Sequence, residues 1–79
     1  ILIPAVPGLH TGSIIMENQT QVFQQLEKSQ KYVVVHEKAK LDHIPQVGEK
    51  VAIRHSPDKN IKSKVEKVEA NASTQTRGR

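Results

Sequence analysis

Four histidines, at positions 10, 36, 43 and 55, are the side chains with the widest chemical range in this 79-residue sequence. They are separated by 26, 7 and 12 positions. No two lie four apart, as a metal-binding helix would need, and no compact ligand pattern is present. The expectation is that they are structural residues at strand ends and that no metal is bound. Ser56 and Asp58 flank His55 closely, yet three residues joined through Pro57 in one turn cannot wrap into a catalytic triad, whose members come from separated segments. The sequence has no cysteine, which removes disulfides, thiolate ligands and a thiol nucleophile. Gly8 and Gly12 lack the spacing and following helix of a phosphate-cradling loop, and Gly48-Glu49-Lys50 reads as a turn into a strand. No enzyme, cofactor or metal is therefore expected.

The cations suggest a different chemistry. Lys50, Arg54, Lys62 and Lys64 alternate with apolar residues in the last two strand-like segments, so they share the outward face. On paired strands they would stand roughly 5 to 10 Å apart, a spacing suited to successive phosphates. The competing reading is a charged solvent face that keeps an exposed hairpin from pairing edge to edge. With only Phe23 and Tyr32 as aromatics, no base-stacking platform accompanies them. Gln19, Gln21, Gln24, Gln25 and Gln30 add polar contacts that would suit a nucleic acid, another protein or water.

The segments that must position these side chains show a period of two. Residues 12–17 place Ile14 and Met16 on one face. Residues 21–26 offer Val22 and Leu26 with Phe23 opposite, and residues 31–36 contain a continuous Tyr32-Val33-Val34-Val35 run that suits a central strand. Val51 and Ile53 point inward within 50–55, as do Ile61 and Val65 within 61–68. Short polar turns are expected at 17–20, 27–30 and 56–60. In the long connection 37–49, Leu41, Ile44 and Val47 recur every third residue, which predicts a 3₁₀-like plug against the core.

Five short antiparallel strands with one plug predict a small all-β domain. An SH3-like barrel is favoured over an OB-like barrel because the long connection lacks the helix an OB fold would place there. Val33, Val35, Val51, Ile53 and Val65 are the expected core, closed at one end by Leu41 and Ile44. Residues 1–8, carrying Pro4 and Pro7, read as a linker or extended arm, 9–69 as the barrel, and 70–79 as a disordered tail.

Twelve Lys and Arg against eight acids give a net charge of +4. Residues 1–30 carry −1, 31–70 carry +3, and 71–79 carry +2 through Arg77 and Arg79. This balance is compatible with a polyanion and equally with an ordinary soluble surface. No run is long enough to span a bilayer and no export signal is read at the start, so a cytoplasmic monomer is expected, excised from a longer polypeptide.

Tyr32-Val33-Val34-Val35-His36, then Leu41, then Pro45-Gln46-Val47-Gly48-Glu49-Lys50-Val51-Ala52-Ile53-Arg54-His55 together resemble the small domain named for the plasmid protein KfrB. Gly12, Gln24, His36, Leu41, Gly48, Val51, Ile53 and Val65 fit its pattern over about residues 9–68. The resemblance implies an accessory module of large plasmid and mobile-element proteins, appended to relaxases and primases and concerned with DNA handling in conjugation or replication. Residues 56–60 depart from it by lengthening a hairpin where a tighter glycine turn is expected. Two functions follow as expectations: weak, nonspecific DNA binding through Lys50, Arg54, Lys62 and Lys64, or docking onto a neighbouring domain or transfer partner through the valine-rich edge and the apolar arm.

Overall fold

Alternation of apolar and polar residues is realised as six strands: β1 (Leu2–Pro4), β2 (Gly8–Glu17), β3 (Gln21–Leu26), β4 (Val33–Glu37), β5 (Lys50–His55) and β6 (Lys64–Lys67). A 3₁₀ turn, Lys38–Lys40, is the one helical element among the described residues. The computed structural model describes residues 1–68. The tail expected at 70–79 lies outside them.

The strands form one open mixed sheet in the order β1-β4-β3-β2-β5-β6. The all-β reading holds, with six strands in an open sheet where a five-stranded antiparallel barrel was expected. The extra strand comes from the apolar start. Leu2, Ile3 and Pro4 pair in parallel with Val33, Val34 and Val35, so the segment read as a linker or arm enters the sheet. Pro4 is tolerated because β1 is an edge strand, where a missing N–H faces no partner.

Ten-residue β2 is the spine, pairing with β3 on one side and β5 on the other. Gly12 explains how it fits so tightly. A Cβ there would stand 1.9 Å from the Gln25 carbonyl oxygen, so only glycine allows this backbone approach. A register shift between Ile14 and Met16 then acts as a bulge. Ile14 is buried, whereas Met16, expected on the same face, sits opposite Phe23 and is exposed.

One face buries Ile14, Val22, Leu41, Val51, Ile53 and Val65 as one apolar cluster. In β4 the inward residues are Val34 and His36, while Val33 and Val35 are half-buried on the opposite face. The expected assignment is off by one, because a continuous valine run carries no period of its own. Its register is set by Val22↔His36 and Gln24↔Val34. Of the expected plug only Leu41 is buried; Ile44 and Val47 are exposed, as is Ile61. The turns fall as read: Asn18 Oδ1 accepts from the N–H groups of Thr20 and Gln21, and Asp58 Oδ1 from that of Asn60. Gly48, at φ +98°, occupies the left-handed position of the turn closed by Glu49 N–H on the Gln46 carbonyl.

Candidate functional site: a buried polar network beside a basic strand face

The inward parity that buries the valines also buries polar side chains. Gln24 lies two residues after Val22, His36 two after Val34, His55 two after Ile53, and Ser63 two before Val65. Four strand segments thereby converge on one chain of hydrogen bonds: Gln24 Oε1 to His36 Nε2 at 2.8 Å, His36 Nδ1 to His55 Nε2 at 2.8 Å, and His55 Nδ1 to Ser63 Oγ at 2.5 Å. Gln24 and His36 are completely inaccessible to solvent, and Ser63 is 4% exposed.

The direction of every proton follows from the ends. Gln24 Nε2 donates to the carbonyls of His10, Gly12 and Val51, so its Oε1 faces His36 and accepts. His36 must then carry its proton on Nε2 and accept on Nδ1. His55 donates from Nε2, which leaves Nδ1 to accept from the Ser63 hydroxyl while the ring is neutral. His10 stands edge-on to both rings at 5.5 and 5.9 Å, its Nε2–H donating to the Val6 carbonyl. Burial is the main cause that pushes the His36 pKa down to about 3, with the neighbouring His55 and His10 acting in the same direction. His55 is also lowered, first by burial and then by His10 and Lys40. The network is a neutral, directional wire. Among the described residues no group of three or more ligating side chains is arranged to hold a metal.

The expected cations are only partly brought together. Arg54 lies directly opposite Lys64 on the β5–β6 pair, both exposed, with Lys62 two residues before Lys64. Lys50 is separated from them by the Ala52↔Glu66 pair and is held in an ion pair with Glu27. Arg54, Lys62 and Lys64 have no acidic partner within 4.0 Å among the described residues. Of the four-cation strip, the facing pair Arg54 and Lys64 is realised, Lys62 lies just outside β6, and Lys50 is a neutralised outlier.

The sequence reasoning placed His36 and His55 at strand ends but missed that they meet. The available signal was parity: each network residue occupies the position two away from an inward aliphatic residue. Because His10, His36 and His55 come from separated strands, their linear spacing carries no trace of the contact.

The structure is thus a small all-β domain, one open mixed sheet with an internal Gln-His-His-Ser wire. The chain belongs to the KfrB domain family, whose model matches residues 9–64, and this agrees with a plasmid-associated domain. The match contains Gln24, His36, His55 and Ser63. Among curated proteins none is significantly similar to the chain.

Proposed function

We propose that this chain is a noncatalytic accessory domain of a plasmid or mobile-element DNA-processing protein, of the relaxase or primase kind, that contacts nucleic-acid phosphates weakly through Arg54, Lys62 and Lys64. In this reading it works as a monomeric unit in the cytoplasm. The observation that supports it is the Arg54↔Lys64 pair. Like charges directly opposite on paired strands are destabilising, so such a pair without an acidic partner among the described residues fits a polyanionic ligand that would relieve the repulsion. The absence of an aromatic platform on these strands fits contacts to phosphate rather than to bases.

The test is the salt dependence of binding to a labelled oligonucleotide. Replacing Arg54, Lys62 and Lys64 by Gln should flatten the log–log slope by roughly two to three units and weaken all sequences alike. Lys50→Gln should change the slope little. If the parent chain shows no binding at low salt, or the triple variant binds as well as the parent, the reading fails.

A second reading, docking onto a neighbouring domain or transfer partner, is favoured by one observation. Pro4, Val35, Phe23 and Met16 are successive register partners across β1, β4, β3 and β2, an apolar row on the face opposite the core in which Pro4 and Met16 are exposed, Val35 is half-buried and Phe23 is buried. A salt-insensitive complex lost on Met16→Lys would favour this reading.

A further inference from the structure

At the end of the sheet where β5 runs into its connection to β6, residues 2–7 and 56–63 enclose a cleft of about 880 Å³. His55 and Ser63, the terminal members of the polar wire, line it, together with Lys40, Lys59 and Lys62. None of the three lysines has an acidic partner within 4.0 Å among the described residues. Two acids also line the cleft, and both carboxylates are engaged: Glu37 accepts from Gln21 Nε2 at 2.8 Å, and Asp58 accepts from the Asn60 N–H at 2.9 Å. Residues 2–7 contribute no titratable side chain to the wall.

We propose that this cleft binds a tetrahedral oxyanion of the phosphate-group class, and that its occupancy is coupled to protonation of His55. The coupling follows from the direction of the wire. While His55 is neutral, the Ser63 hydroxyl proton points at His55 Nδ1, and the serine oxygen offers the cleft only lone pairs, which repel an anion. When His55 takes a proton, Nδ1–H donates to Ser63 Oγ, and the hydroxyl hydrogen is released to point into the cleft. His55 Nε2–H keeps its bond to His36 Nδ1 throughout, because buried His36 stays neutral and keeps that lone pair available. One proton at His55 thus turns Ser63 from an acceptor into a donor, while Lys40, Lys59 and Lys62 supply the attracting charge.

The groups facing His55 are consistent with this. His10 from β2 and His36 from β4 approach its ring, Lys40 comes from the 3₁₀ turn, and Ser63 and Lys62 precede β6. Burial, His10 and Lys40 disfavour the charged ring, which keeps the site in its anion-repelling form until an anion arrives. An oxyanion beside Lys40 offsets the lysine's effect and makes proton uptake easier. By linkage, an anion that raises the His55 pKa must bind more tightly, by the same factor, to the protonated form. This proposal rests on neither Arg54 nor Lys64, and Lys62 is the one lysine that it shares with the face proposed above.

Sulfate is the probe, because its charge does not change between pH 5 and 8. It is titrated into the full chain at pH 5.5 and at pH 8.0 while amide and imidazole resonances are followed. The expected result is binding severalfold tighter at the lower pH, resonance shifts centred on Lys40, His55 and Ser63, and a His55 pKa raised by about one unit, which sets tenfold as the ceiling of the affinity change once His55 is fully protonated. Ser63→Ala should cut the pH effect to the part owed to the His55 charge alone while leaving the histidine pair intact, and Ser63→Thr should restore it. Replacing Lys40, Lys59 and Lys62 by Gln should abolish binding at both pH values. Arg54→Gln with Lys64→Gln should leave sulfate binding unchanged, which separates this site from the Arg54–Lys64 pair. Comparing a 5′-phosphorylated trinucleotide, its 5′-hydroxyl counterpart and phenyl phosphate at pH 5.5 distinguishes a strand end from a free phosphate monoester. The proposal is overturned if sulfate leaves the His55 resonances unmoved, if affinity is equal at the two pH values, or if Ser63→Ala keeps the full pH effect.

Discussion

His36 and His55 lie with their ring planes 2° apart and their centroids 4.9 Å apart, joined by a 2.8 Å bond from His55 Nε2–H to His36 Nδ1. Parallel planes with so short a nitrogen–nitrogen distance are the geometry of an in-plane hydrogen bond, not of face-to-face stacking. One imidazole takes the place of the carboxylate that more often orients another, so the pair is held without a buried charge.

Acid should therefore loosen the fold in a defined window. The His36 pKa is lowered from 6.5 to about 3 in the folded chain, so below pH 6.5 the unfolded chain binds a proton that the native one refuses. Stability is fully present above pH 6.5 and falls by about 1.4 kcal/mol per pH unit between there and pH 3. His55, also lowered, adds in the same direction. Urea midpoints measured at pH 7 and pH 5 should differ for the parent chain and differ much less for His36→Gln.

Replacing Gln24 by Met keeps the volume but strips the wire of its anchor. His36 Nε2–H and the carbonyls of His10, Gly12 and Val51 would lose their partner in the interior. A loss of about 2–4 kcal/mol in chemical denaturation is expected. A loss below about 0.5 kcal/mol would mean that water replaces the amide.

Gly12→Ala meets backbone rather than a movable side chain. The added methyl would lie 1.9 Å from the Gln25 carbonyl oxygen and 2.8 Å from its carbon. The strands must part to admit it, at a cost of about 3 kcal/mol or more. Hydrogen exchange should show the β2–β3 amides losing protection first.

Lys64→Glu should separate stability from binding. A glutamate opposite Arg54 turns a like-charge pair into an attractive one, stabilising the hairpin by about 0.2–1 kcal/mol. The same change should weaken oligonucleotide binding several-fold and lower its salt slope. A variant that is both more stable and equally tight in binding would show that this face does not touch DNA.

The all-β class, the inward set on β5 and the inward Val65 of β6 were legible because Val51, Ile53 and Val65 alternate with outward residues, whereas Ile61, expected inward on the same strand, lies before β6 and is exposed. The sense of β4 was not, since Val33, Val34 and Val35 fill both parities and only pairing with Val22 and Gln24 decides between them. The bulge after Ile14 was equally silent, because it depends on which partners flank β2 rather than on residue type. The role of β1 was masked by Pro4 within it and Pro7 just after it, which argue against a central strand but not against an edge. At the basic face, outward parity located Arg54 and Lys64 correctly, whereas the capture of Lys50 by Glu27 joins residues 23 positions apart and leaves no local mark. The histidine network was hidden for the same reason.

The order β1-β4-β3-β2-β5-β6 also carries information about time. β2, β3 and β4 are sequence neighbours joined by short connections, β5 and β6 are joined by residues 56–63, and β1 reaches β4 only by closing a loop of about thirty residues. Local hairpins close at little entropic cost and distant pairings close late. The two ends of the polar wire arise in different hairpins, Gln24 and His36 in one, His55 and Ser63 in the other. The His36–His55 bond therefore forms only when the hairpins dock, so refolding followed by imidazole resonances should report that docking as an event distinct from formation of either hairpin.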